Sequence, residues 1–122
     1  MKLGLRWAFD LKMNIDIQDF LKVDIRVGKV LGAKDKKGSS KLIRLKVDFG
    51  DNDPRIIFTA VREFGYTADF FENKKFLFVT NLKPKKIMDE ESNGMILAVD
   101  DPKTQKPVFI KADNLPLGAF VK

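Results

Sequence analysis

From Val23 onward, apolar residues recur at every second position. Val23, Ile25 and Val27 alternate with Asp24, Arg26 and Gly28, which predicts a strand burying one face, and Gly28 and Gly32 allow sharp bending or a bulge. Residues 33–41 form a polar, lysine-rich connection around Gly38. Alternation then resumes: Ile43, Leu45, Val47 and Phe49 share one face of a second strand, and Arg44, Lys46 and Asp48 give the other a mainly basic character. Gly50, Asp51, Asn52, Asp53 and Pro54 are a dense turn signal, followed by a third strand from Arg55 to Val61. Gly65 and Tyr66 break the pattern, and Thr67 is placed to cap a short helix through Asp69, Phe70 and Phe71 that Asn73 stops. A fourth strand is predicted from Lys75 to Leu82, a fifth from Met95 to Val99, and a further short one from Val108 to Lys111 beyond a turn framed by Pro102 and Pro107. Leu115, Leu117, Phe120 and Val121 make the C-terminal stretch too apolar for a free tail and call for a partner surface.

The first fourteen residues follow a different period. Leu3, Trp7 and Leu11 fall on one helical face, but Lys2, Arg6, Asp10 and Lys12 interrupt any run long enough for a secretory segment or a membrane span. A short docking helix and a dispensable leader ahead of a second start at Met13 are both open readings. Asp16 or Asp19 is expected to cap a turn that brings Phe20 and Leu21 to the core. Residues 15–122 then form one domain. Five short strands with a helix between the third and fourth is the order of an all-β, five-stranded OB-fold barrel, here with terminal extensions; the helical segment counts against an SH3-like barrel.

Composition narrows the chemistry. The 122 residues, 44% hydrophobic with eleven phenylalanines, suffice for one core. Lys plus Arg exceed Asp plus Glu by 23 to 17, a formal charge of +6 that favours a polyanionic partner. With neither cysteine nor histidine, disulfides, thiolate metal sites and histidine-assisted nucleophiles are excluded, structural zinc is not expected, and a reducing cytoplasm fits. No cofactor or metal motif is present. Carboxylate or lysine catalysis stays chemically open, but no acid pair has diagnostic spacing, and Gly32 to Ser39 lacks the lysine of a Walker loop. Its most distinctive stretch is Asn81 to Ala98, where Lys83, Lys85 and Lys86 crowd around the stiffening Pro84 and meet Asp89, Glu90 and Glu91. A solvated turn and a polyanion contact are both readings of that cluster.

Four ordered segments carry a resemblance. D-F-L-K-V-D-I-R-V-G-K-V at Asp19 to Val30, K-L-I-R-L-K-V-D-F-G at Lys41 to Gly50, N-L-K-P-K-K-I-M at Asn81 to Met88 and S-N-G-M-I-L-A at Ser92 to Ala98 resemble the tRNA-binding domain family. That family occurs as a C-terminal domain or separate subunit of methionyl-tRNA synthetase, as free-standing tRNA-binding proteins and as a secretion-chaperone-like branch. The chain departs from it at Thr59, Ala60 and Val61, where Ser-Gly-Ile is common, at Ala68 and Asp69, where Pro-Glu is, and at Asp89, where glycine is usual, making the turn more acidic. The resemblance implies a non-catalytic cytoplasmic protein that grips the outer corner of tRNA by shape, forms a homodimer through its terminal extensions and assists a synthetase, the methionyl enzyme first. Its rival is a chaperone holding unfolded segments. Asn81, Lys86, Ser92 and Met95 match the family's binding motif, with Arg26, Lys41, Arg44 and Lys46 as phosphate contacts; Lys83 and Lys85 stand evenly between contact and solvated turn. Taken without the resemblance, Asn81 caps a strand end, Ser92 belongs to a turn, and Met95, in register with Leu97 and Val99, packs in the core.

Overall fold

The alternating segment after Asp24 becomes the longest strand of the molecule, β1 (Ile25–Asp35), in a computed structural model that describes residues 13–51 and 53–122. It has two antiparallel partners. Its first half, Ile25 to Lys29, pairs with β4 (Lys75–Val79), and Lys29 to Asp35 pairs with β2 (Leu42–Asp48). The register slips between Val30 and Gly32, so Leu31 is the extra residue of a bulge that turns the strand from one partner to the other. β2 also pairs with β3 (Arg55–Ala60), and β4 with the short strand Met95–Ile96, completing the order 3-2-1-4 plus the Met95 strand. The Asn93 N–H reaches the Ile56 carbonyl at 2.8 Å across the remaining gap, and the five-stranded antiparallel barrel is nearly closed. This is the predicted OB-like, all-β architecture.

Period-two burial explains the core. Val27, Val30, Ile43, Leu45, Val47 and Ile57 are buried inside, with Phe76 and Phe78 of β4 filling the centre. Each such side chain contributes about 1.5–3 kcal/mol relative to exposure. The base is closed by the one-turn helix α2 (Ala68–Phe71), entered from a 3-10 turn at Arg62–Phe64. Its Phe71 is fully buried and meets Tyr66, Phe70, Phe76 and Phe109 at centroid distances of 5.0–6.0 Å. Asn73, at φ 61°, ends the helix as expected.

Several local expectations are corrected. Gly28 is no bend; it is a regular partner of Phe76, and a Cβ there would lie 2.6–2.9 Å from Phe49, Val47 and Phe78. Its missing side chain is the room in which Phe49 and Phe78 pack edge to face, 5.4 Å apart. β1 continues to Asp35, through part of the predicted connection, because β2 pairs with it that far. Thr67 stands at the N-cap without a side-chain cap bond; its carbonyl takes the Phe70 N–H instead. Asp16 likewise makes no side-chain cap at α1 (Ile17–Phe20), and Phe20 and Leu21 stay exposed because this turn lies outside a barrel already filled by its own strands. The helical face of Leu3, Trp7 and Leu11 lies outside the described residues.

The segment between β4 and the Met95 strand, read as a loop, contains a hairpin, β5 (Lys85–Ile87) and β6 (Glu90–Ser92). The predicted fifth strand is two: β7 (Met95–Ile96) stays with β4, whereas β8 (Ala98–Asp100) leaves to pair with β9 (Pro107–Phe109). The apolar tail finds its backbone partner within the chain. Gly118 N–H donates to the Val27 carbonyl, Val27 N–H to Ala119 and Val121 N–H to Ile25, occupying the edge of β1 that β2 does not reach.

Because three core side chains crowd the Gly28 position, Gly28→Ala is expected to overpack the barrel and cost about 1–3 kcal/mol. Chemical denaturation of the two proteins measures it, and an unchanged midpoint would contradict this packing account.

Candidate nucleic-acid interface

The outer face of β2 and β3 is set by alternation: Leu42, Arg44 and Lys46 stand opposite Ala60, Phe58 and Ile56. Phe58 points outward yet is 9% exposed, because the β5–β6 hairpin folds over it. Between sheet and hairpin lies a groove of about 420 Å³ with an apolar floor of Leu42, Phe58, Ala60, Leu82, Ile87 and Met95. Lys83 and Lys85 line its rim, and Lys86 projects from the same strand; all three are exposed and make no ion pair among the described residues. An apolar slot edged by ammonium groups accepts the flat face of a base and the phosphate beside it.

Neutral hydrogen bonds fix both ends of the lysine segment. At its start, the Asn81 side-chain oxygen accepts the Asp24 N–H at 2.9 Å and its amide donates to the Lys22 carbonyl. At its end, the buried Ser92 hydroxyl accepts the Phe58 N–H at 3.0 Å, and Gly94, at φ 145°, brings the turn so close that a Cβ would meet Ile57 and the Val79 carbonyl at 2.9 Å. Only glycine fits that approach.

The hairpin tip is held by charge. Lys36, 9% exposed, donates to Asp89 at 2.6 Å and to Glu90 at 2.9 Å, and Arg44 grips both Glu90 oxygens at 2.9–3.1 Å. Hydrogen bonds from Arg44 first, then Lys36, lower the Glu90 carboxyl to about 2; Asp89 is also lowered, chiefly by Lys36, and Lys36 is raised by the same two acids. With the Glu90 pKa depressed, the contribution is complete above its ordinary value of 4.5 and is lost as pH falls toward about 2. The cluster is therefore fully charged at neutral pH.

The groove brings together four of the residues singled out in the sequence, Lys83, Lys85, Ser92 and Met95; Lys86, between Lys85 and Ile87 on β5, is exposed but outside the lining. Met95 is exposed, not in the core. Ser92 and Asn81 spend their polar atoms on the backbone. Lys46 and Lys41 are exposed on and beside β2, on the groove's sheet. Arg44 shares that face but is engaged with Glu90, and Arg26 is outside the lining, bound to Asp24 with Phe120 over its guanidinium at 4.4 Å. Sequence reasoning missed Phe58, Leu82 and Ile87 as the floor. The unbroken run Ile56, Ile57, Phe58 was the available signal, since a strand apolar at consecutive positions is covered on both faces. Lys36 and Glu90 carried no such signal. Among the described residues no group of three or more acids gathers to hold a metal, and no helix is long and apolar enough to cross a membrane.

Known proteins resemble the chain in sequence and in fold. The chain is 46% identical over 86 residues to the methionine–tRNA ligase of Methanocella arvoryzae, covering 70% of this chain but only 12% of that protein. Of solved structures, the MetRS-related protein from Pyrococcus horikoshii superposes with a TM-score of 0.83 at 38% identity, over 91% of this chain and all of the other. The CsaA chaperone protein from Picrophilus torridus gives 0.78 at 28% identity, over 89% of this chain and all of the other. Residues 25–119 match the profile of the putative tRNA binding domain, a stretch that opens with β1 and ends in the tail paired to it. The match takes in the whole barrel, and the chain belongs to the tRNA-binding domain family.

Proposed function

We propose that the protein binds tRNA through the groove and the lysine hairpin, without catalysis, in support of a synthetase of the methionyl type in the cytoplasm. The observation that carries this reading is an apolar groove whose rim lysines make no ion pair with a carboxylate among the described residues, in a chain of this family. Lys83, Lys85, Lys86, Lys41 and Lys46 supply phosphate contacts, which give affinity without sequence information, and Met95, Leu82 and Ile87 receive a base that the RNA corner leaves unstacked. Recognition is then by shape. Ser92 and Asn81 act from beneath, by holding the segment. The likeness to the methionine–tRNA ligase supports the partner, and the complete overlap with the MetRS-related protein supports a barrel acting as a separate chain.

The protein is also proposed to be a two-fold homodimer. Its tail is paired through the backbone, but Phe120 remains 60% exposed, together with Met13, Ile15, Ile17 and Leu21 of the N-terminal extension. The alternative, a chaperone role, draws on the same apolar surface and on the CsaA likeness, and is the less well supported of the two.

Three measurements test these readings. tRNA affinity is expected to fall with salt at a log–log slope of about −0.7 to −0.9 per phosphate neutralised, and Lys86→Ala to flatten it by roughly one contact. Salt-independent binding, or tight binding of an unfolded polypeptide instead, would favour the chaperone. Met95→Ala is expected to weaken tRNA binding by about 1 kcal/mol at an unchanged melting temperature, whereas Ser92→Ala strands the Phe58 N–H and costs about 1–3 kcal/mol of stability. Sedimentation at micromolar concentration should show a dimer, and a monomer with the tail intact would refute that assembly.

A further inference from the structure

Among the described residues, the β5–β6 hairpin beside the groove is not part of the barrel sheet; its strands pair only with each other. Its turn is also unfavourable on its own. Met88 and Asp89 form the two-residue connection, and Met88 takes φ 57°, a left-handed conformation that hairpins normally give to glycine, asparagine or aspartate. An isolated hairpin of this length is marginal in water. Something outside it must hold the tip.

The contacts that do so come from the β1–β2 connection and β2. Lys36 reaches Asp89 and Glu90, Arg44 closes a two-oxygen grip on Glu90, and the Met88 side chain lies against Gly38. Glu90 is the shared member. It bridges Arg44 on the sheet to Lys36 in the connection, and it directly precedes Glu91, the cross-strand partner of Lys86. Fixing Glu90 fixes where Lys85 and Lys86 point.

We propose that Glu90 is a positioning residue of the RNA-binding face: by tying the hairpin tip to Arg44 and Lys36, this acid raises the affinity of a basic surface for a polyanion. Arg44 acts in this device through Glu90, not as a phosphate contact. The inference rests on the function proposed above, and it makes a prediction opposite in sign to that of net charge. Removing an acid beside three lysines should strengthen binding if only the field matters. If position matters, binding must weaken, because lysines that have to be ordered on association lose affinity to that ordering.

Glu90→Gln keeps the shape and removes the charge. It is expected to bind tRNA several-fold more weakly than the parent protein, and its hairpin amides should exchange faster while those of β1, β2 and β4 do not change. In a double-mutant cycle, Lys86→Ala should cost less in the Glu90→Gln background than in the parent, a coupling that a general loss of stability would not produce. Equal or tighter binding by Glu90→Gln, or unaltered hairpin exchange, overturns the proposal. If the parent protein binds no tRNA while the hairpin amides respond as expected, the functional reading above falls and the tethering of the hairpin stands.

Discussion

A single strand has to satisfy two partners, and most of the structure follows from how β1 does it. Its first five residues belong to β4 and its last seven to β2, with the bulge at Leu31 taking up the change of direction. A flat strand could not serve both and close a barrel; an extra residue on one side bends and twists the pair at little cost. Two consequences reach the surface. β2 cannot pair below Lys29, so an edge of β1 is left over, and the tail fills it from Gly118 to Val121. The curvature also turns the outer face of β2 and β3 toward the segment that leaves β4, and the groove forms there.

The barrel and the groove are held by different kinds of force. Inside, apolar burial and the sheet ladder are insensitive to ionic conditions. At the hairpin, cover over Phe58 is joined at the tip by the ion pairs of Lys36, Arg44, Asp89 and Glu90. Ordinary exposed ion pairs contribute little, because salt screens them and two long side chains must be ordered. This cluster differs in geometry: Arg44 is bidentate, and Lys36 is nine-tenths covered by its neighbours. A basic surface that must also be shaped needs some acids, and beside the groove Asp89 and Glu90 are two of them.

The sequence was most readable where one force dominates. Alternation in β1 and β2 reports burial on one side, so the first four barrel strands and the short helix before β4 were visible, as was the OB-like architecture. Positions that serve two neighbours were misread. Gly28 looked like a bend because its isolated sequence context cannot reveal that Phe49 and Phe78 meet beside it. Lys36 looked like one more loop lysine, and Glu90 like part of an acidic run, because their pairing joins residues more than fifty positions apart. Phe20 and Leu21 were assigned to the core on hydrophobicity alone, although the barrel had no space left for them. The lysines of the groove were legible as a cluster, but the slot they edge depends on the hairpin, which periodicity over three-residue strands does not announce.

Under the proposed function, Asn81 and Ser92 matter to the site without facing its ligand, because their polar atoms are bonded to the backbone. Their hydrogen bonds to Asp24, Lys22 and Phe58 join neutral groups, which salt does not screen as it does ion pairs, so the two ends of the lysine segment are held by other means than its tip. The tip relies on charges separated by 2.6–2.9 Å, far inside a Debye length of about 8 Å at physiological salt. Added salt therefore weakens a phosphate contact, whose formation releases condensed counterions, much more than it loosens the hairpin. On the proposed function, position and attraction respond to different variables, salt for the phosphate contacts and loss of the Glu90 charge for the hairpin, so that such a face would keep its shape while its grip on RNA is relaxed.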